Sequence, residues 1–331
     1  PKVLHRLAGK PLLGHVLDVT RRLGVEHIHV IIGHGAEQVA NHFSDSGDLS
    51  WVLQEQRLGT GHAVLQALPF VRSDNTLLVL YGDVPLTRLD TLRELVAAAQ
   101  DGPTLLTAVL HDPAGYGRIL RDPHGDLTGV VEDKDASDEQ RAIAEINTGL
   151  LAAPQRDFEA YLPRVENDNR QGEYYLPDIL GMAVAEGRGV ATCTVPSELE
   201  ILGVNDRVQL NQVEREYQRR EAEGLMRAGV SLADASRIDI RGSLHCAADV
   251  SIDVNVLFEG EVTLGRGVSI GANCVLRDVT IADDTTIHPM SHLQEAVIGS
   301  DCNVGPFARL RPGTVLSDGA RVGNFVETKK A

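Results

Sequence analysis

Thirteen apolar residues in the last third of the chain recur in a register of six. Ile252, Phe258, Leu264, Ile270 and Leu276 are spaced by six; Ile281, Ile287 and Leu293 resume after a step of five; Ile298, Val304, Leu310, Leu316 and Val322 continue after another. Neither the 3.6-residue period of a helix nor the two-residue alternation of a half-buried strand generates that spacing. It is the register of a hexapeptide β-helix, in which each short strand is one side of a coil and stacking buries its apolar residue. Glycine follows several markers, at Gly265, Gly271, Gly299, Gly305 and Gly323, and is expected to supply the tight corners. Cys274 and Cys302 fall four residues after a marker, as do Val268 and Ala308, which predicts small inward packing residues rather than reactive thiols.

The residues before this pattern read differently. The runs "HIHVII" (27–32), "TLLVLYGD" (76–83), "TLLTAVL" (104–110), "LTGVVED" (127–133), "EINTGLLAA" (145–153) and "VATCTV" (190–195) have the β-branched content of strands. Between several of them lie stretches of helical length, such as "PLLGHVLDVTRRLG" (11–24), with an apolar stripe of Leu12, Leu13, Val16, Leu17, Val19 and Leu23. Strand and helix in alternation predict an α/β, Rossmann-like domain over 1–205 whose sheet is mixed but mostly parallel and covered on both faces. Asp83 then closes a strand on a Gly82–Asp83 turn, at the carboxyl edge where such sheets bind ligands. The alternative is a turn former bonded to its own backbone. From 206 to 229 the sequence is charged on most sides, with Val208, Val213 and Tyr217 as a thin apolar stripe, and predicts a linker helix capped by Asn205 or Asp206 and ended by Gly229. The solenoid domain follows over 230–331.

A formal net charge of −16 argues against general affinity for nucleic acid or anionic membrane, so phosphate ligands must be held by local groups. The four cysteines are far apart with no C-x-x-C pair, which predicts neither a zinc site nor a disulfide framework and fits a reducing cytoplasm. No run approaches the roughly 18 apolar residues of a membrane span. The abrupt start at "PKVLHRLAGKP" predicts a natural amino terminus upstream of Pro1.

Nine motifs in order carry a resemblance along essentially the whole chain: "PKVLHRLAGKP" (1–11), "EQRLGTGHA" (55–63), "LYGDVPL" (80–86), "GYGRI" (115–119), "VEDKDAS" (131–137), "EINTG" (145–149), "QGEYYLPD" (171–178), "GVNDR" (203–207) and "GPFARLRPG" (305–313). With the hexapeptide register, they resemble the bacterial bifunctional N-acetylglucosamine-1-phosphate uridylyltransferase and glucosamine-1-phosphate acetyltransferase family. The resemblance implies a left-handed β-helix, against the general right-handed crossover rule. It also implies that Gln54, Gly59 and Thr60 contact the uracil of UTP. Gly117, Glu132 and Asn147 would bind the sugar, Tyr81 and Gly82 would line the substrate, and Lys2 would approach the phosphates as a catalytic group. Catalytic Asp83, with Asn205, would hold Mg²⁺. Arg311 and Lys329 would bind the phosphate of glucosamine-1-phosphate, with acetyl-CoA as co-substrate of the full-length protein, and UDP-N-acetylglucosamine would be the product. The assembly implied is a cytoplasmic homotrimer.

Two departures from the family pattern bear on activity. Its Gly-rich phosphate loop would precede Pro1, and the base and later coils for acetyl-CoA would follow Ala331. The chain as given is therefore expected to be a trimer without acetyltransferase activity. Two other readings stand beside this one: a nucleotidylyltransferase for another sugar-1-phosphate, and a non-catalytic scaffold subunit built from the same two domains. "EINTG" with "VEDKDAS", plus Arg311 and Lys329, argues against the first, and Asp83 with Asn205 weighs against the second.

Overall fold

The computed structural model describes residues 1–71 and 75–329. The chain forms two compact units. One comprises Pro1–His5 and Leu12–Asn205, the other Arg6–Pro11 and Asp206–Ala331.

In the first unit the strands are β1 (Ile28–Ile32), β2 (Leu49–Leu53), β3 (Thr76–Val79), β4 (Thr104–Val109), β5 (Arg118–Arg121), β6 (Leu127–Val131), β7 (Glu145–Pro154) and β8 (Ala191–Thr194). β1 and β2 form a parallel pair. The other six form one sheet in the order β8-β4-β7-β5-β6, with β3 also pairing with β7. Both faces of β7 are buried. Ile146, Leu150 and Ala152 pack on one face with Leu92, Leu95 and Leu106. Leu151 and Ala153 pack on the other with Leu105, Phe158, Ile179 and Leu180. The helix Leu12–Leu23 buries Leu12, Leu13, Val16, Leu17 and Val19 of the stripe its spacing predicts, with Leu23 partly buried.

The sheet is mixed, but its ladders are less parallel than the alternation of strand and helix suggests. Among the described residues of the six-stranded sheet only β4 with β8 pairs in parallel; β7 runs against β3, β4 and β5, and β5 against β6. For β5 and β6 the reason is local: only residues 122–126 join them, a connection that closes an antiparallel pair, whereas parallel pairs need a helical crossover. The run at 76–83 also stops short as a strand, at Val79. Beyond it the chain turns, with the Val84 N–H donating to the Tyr81 carbonyl at 3.2 Å.

The second unit begins with a two-residue hairpin, Arg6–Leu7 against Lys10–Pro11. Ala8 and Gly9 at its tip both have positive φ, 48° and 84°, as a tight two-residue turn requires. The helix Arg207–Arg227 is capped by the Asp206 side chain, which accepts from the Gln209 N–H at 2.8 Å, and it ends where Gly229 takes φ 96°. Its apolar stripe is thinner than expected: Val208 is 67% exposed, and the buried face is Val213, Glu216, Gln218 and Ala222. Polar residues belong there because the helix covers exposed backbone. The Gln218 amide donates to the Ile240 carbonyl and accepts from the Ile240 N–H, both at 2.8 Å. Buried Glu216 is paired with Arg219 and Arg220.

The solenoid stacks its markers in three parallel columns. Ile252 pairs with Ile270, then Ile287, Val304 and Val322. Phe258 continues to Leu276, Leu293 and Leu310, and Leu264 to Ile281, Ile298 and Leu316. Cys274, Cys302, Val268 and Ala308 are buried among them. The glycines behave otherwise than expected. Only Gly305 of the five has positive φ; the left-handed corner residue lies three positions after the marker, at Asn255, Asn273, Asp284 and Asp301 among others, residue types whose short polar side chains tolerate that region. At three of the five, glycine follows the marker for space. A Cβ at Gly265 would lie 2.7 Å from the Asp283 nitrogen, at Gly271 2.7 Å from the Pro289 nitrogen, and at Gly299 2.7 Å from the Asp318 nitrogen.

This packing predicts a sharp contrast within one coil. Leu293→Ala, at a fully buried position (0% exposed), should destabilise the solenoid by about 2–5 kcal/mol. Val297→Ala, on the outward side at 52% exposure, should stay within about 0.5 kcal/mol. Chemical denaturation followed by circular dichroism measures both.

Candidate active site

The site grows from the way β7 shares one edge. Along its second half β7 pairs with β3, Val79 opposite Leu151. At its first half it meets β5, Arg118 opposite Ile146, with the Asn147 N–H donating to the Gly117 carbonyl at 2.8 Å. β3 and β5 therefore part at Asn147–Leu150, and the turn after β3 and the start of β5 both face the opening. The other edge of β7 is irregular at the same place, since the register with β4 shifts between Leu105 and Thr107. Local bonds replace the lost ladder: Thr148 Oγ1 donates to the Leu106 carbonyl at 2.7 Å, and Asn147 Oδ1 accepts from the Gly149 N–H at 2.8 Å. Such bulges re-aim side chains. Gly149, at φ 80°, leaves room for Tyr81, whose ring carbon would be 1.9 Å from any Cβ placed there.

Three groups converge at the turn after β3. Lys2 Nζ lies 2.5 Å from Asp83 Oδ2 and donates to Asn205 Oδ1 at 2.7 Å. The Val204 N–H donates to the Asp83 carbonyl at 3.0 Å, which ties the Asn205 segment to the Asp83 turn by backbone. Two hard oxygen donors thus aim at one positive charge, the donor chemistry that a small divalent cation requires.

A second group forms around Gln54. Its side-chain amide donates to the Gly59 carbonyl at 3.1 Å and lies 3.0 Å from His62 Nδ1. Gly59 has φ 109°, and a Cβ there would be 2.6 Å from the Tyr174 carbonyl oxygen, so only glycine lets these segments approach. Thr60 Oγ1 accepts from the Leu176 N–H at 3.0 Å and hydrogen-bonds Tyr81. Burial, and then the charges of Glu132 and Asp83, push the Tyr81 phenol up to about 12. Lys2, Gln54, Thr60, Tyr81 and Gly82 all line one cavity of about 1080 Å³, much of it walled by apolar residues of β1 and β3.

The third group is Gly117, Glu132 and Asn147. A Cβ at Gly117 would crowd Glu132 Oε1 at 3.0 Å. Burial raises the Glu132 carboxyl above its ordinary value, while a hydrogen bond from Asn147 opposes the shift and the charge of Asp178 adds to it. Asp178 itself was not singled out by the sequence reading, although it stands in "QGEYYLPD". Burial first, and Asp135 second, raise it to about 6; only its position at the start of the helix Asp178–Ala185 hinted at a special role. In the second unit, Arg311 lies 3.6 Å from Glu327. Leu310 pairs with Thr328, and Arg311 and Lys329 are the residues that follow them in sequence. No helix among the described residues is long and apolar enough to cross a membrane.

The raised Asp178 value carries a testable sign. Its carboxyl holds a proton more tightly folded than unfolded, so ionisation costs stability as pH rises from about 4 through about 6. Asp178→Asn should therefore raise the melting temperature at pH 7.5, and the gain should shrink toward pH 4, as measured by thermal unfolding across that range.

Comparison with known proteins follows the same division. Residues 1–155 match the MobA-like NTP transferase domain family, and residues 240–331 match the GMPPB C-terminal domain family. Over its whole length the chain is 54% identical to the bifunctional protein GlmU of Alkalilimnicola ehrlichii, covering 71% of that protein. It is 53% identical to proteins of the same name from Azoarcus sp. and from Burkholderia thailandensis, in each case covering 73% of the relative.

Proposed function

The chain belongs to the GlmU family of bifunctional proteins, and on that premise we propose that its first unit transfers a uridylyl group from UTP to N-acetylglucosamine-1-phosphate at the Asp83–Asn205 edge. The activity is that of a nucleotidyltransferase joined to an acetyltransferase, with UDP-N-acetylglucosamine as the end product. The observation that carries the assignment is the convergence of Lys2, Asp83 and Asn205 on one point.

Asp83 and Asn205 would hold Mg²⁺, which bound there damps the repulsion between the UTP phosphates and the incoming sugar phosphate. Lys2, displaced from between the two oxygens, keeps its charge within reach of the phosphates. Gln54, Gly59 and Thr60 present amide, backbone and a close-packed turn to the flat uracil. Gly117, Glu132 and Asn147 present acceptors and an amide to the sugar hydroxyl groups and its N-acetyl arm. Tyr81 and Gly82 form the wall between base and sugar. The sugar phosphate is already anionic near neutral pH and attacks the α-phosphorus in line, expelling pyrophosphate, so no protein nucleophile is required. In the second unit Arg311 and Lys329 supply adjacent cations for the phosphate of glucosamine-1-phosphate, the acceptor of the acetyl group from acetyl-CoA.

Three measurements test this reading in the full chain. Asp83→Ala should abolish Mg²⁺-dependent pyrophosphate release while circular dichroism stays unchanged; near-normal activity at limiting Mg²⁺ would make Asp83 a turn residue only. Asn147→Ala should cost about 1–3 kcal/mol of transition-state binding with N-acetylglucosamine-1-phosphate. Equal turnover of that sugar and glucose-1-phosphate by the unsubstituted protein would overturn the sugar assignment.

A further inference from the structure

We infer that Glu200, which touches neither substrate nor metal ligand, is a positioning residue that sets the separation of Asp83 and Asn205. The inference rests on the reading of those two as the metal pair and adds to it the device that aligns them.

Glu200 is fully buried, at 0% exposure. Its Oε2 accepts from the Thr91 hydroxyl at 2.7 Å and from the Arg88 backbone N–H at 3.2 Å. Its Oε1 lies 3.4 Å from Arg88 Nε without forming a hydrogen bond. Its own carbonyl accepts from the Thr87 hydroxyl at 3.1 Å. Every one of these contacts reaches into residues 87–91, the stretch that leads from the Asp83 turn into the helix Leu89–Ala98. The segment carrying Glu200 is the one that ends in Asn205.

The two segments are therefore joined at two points. Glu200 clamps one end, the Val204 N–H bonded to the Asp83 carbonyl at 3.0 Å marks the other, and buried Val84, Leu86, Ile201 and Val204 belong to the stretches between. Packing alone would be served by an apolar side chain, since an unpaired buried carboxylate is costly. A carboxylate with directional donors does what an apolar residue cannot: it fixes sliding and rotation of one segment against the other. Asp83 is itself half of the second point and Asn205 stands one residue past it, so an error in register at Glu200 becomes an error in the distance between two oxygen ligands. A small cation with strict geometry is sensitive to that distance.

The test titrates Mg²⁺ against pyrophosphate release in the full chain, at saturating UTP and sugar phosphate, with a melting curve for each variant. Glu200→Ala should raise the half-saturating Mg²⁺ concentration by about 10- to 100-fold, with most of kcat restored at high Mg²⁺. Glu200→Gln retains an oxygen for Thr91 and Arg88 and should stay within about threefold of the unsubstituted protein. A fall in melting temperature or kcat with half-saturating Mg²⁺ unmoved would reduce Glu200 to a stability role and overturn the inference. If Glu200→Ala fails to fold, Thr91→Val removes the 2.7 Å bond alone and must shift the Mg²⁺ response in the same direction; no shift overturns the inference equally. Asp83→Ala in the same assay separates the two levels. If it keeps the ordinary Mg²⁺ response, the metal reading itself fails. If it abolishes the response while the Glu200 and Thr91 variants leave it unmoved, only the positioning role fails.

Discussion

One strand serving two partners on a single edge shapes the first unit. β7 cannot pair continuously with both β3 and β5, so a wedge opens between them at Asn147–Leu150. Backbone groups left over at the wedge must find partners, and they do so through the Asn147 and Thr148 side chains and the Gly117 carbonyl. The same wedge lets Tyr81 lie over Gly149 and lets the Asp83 turn face the opening. The opening proposed as the site for sugar and nucleotide is thus a by-product of how the sheet splits.

The wedge is also acidic, which limits what chemistry it supports. Asp83, Glu132, Asp135 and Asp178 act on one another or on the tyrosines between them, and burial raises Glu132 and Asp178. A cleft of carboxylates repels phosphates unless cations stand between. Lys2 is one such cation, held by Asp83 and Asn205 together. In the second unit the cations proposed for phosphate, Arg311 and Lys329, directly follow the paired residues Leu310 and Thr328.

Legibility in the sequence tracked how local each cause is. The solenoid was plain because every coil repeats one requirement, an apolar residue inside, and Ile252 through Val322 all obey it. Yet the purpose of Gly265, Gly271 and Gly299 was misjudged, since the atoms they avoid belong to the next coil and not to their own turn. Asp83 was conspicuous on its Gly-Asp turn, but that Lys2 bridges it to Asn205 depends on parts of the chain far apart in sequence. The antiparallel course of β7, the exposure of Val208 and the raised value of Asp178 share this character: each is decided by what packs alongside, which no window of neighbouring residues records.

The hairpin Arg6–Pro11 belongs to the second unit although it interrupts the opening of the first. Its Ala8 N–H donates to the Glu214 carboxylate at 2.8 Å. On the ribosome these residues are made before the remainder of the first unit, while their partner Glu214 is made only after that remainder has been synthesised. A two-residue hairpin has too little surface to persist alone. It must wait as unstructured chain, so the order of synthesis and the order of assembly run opposite ways at this point.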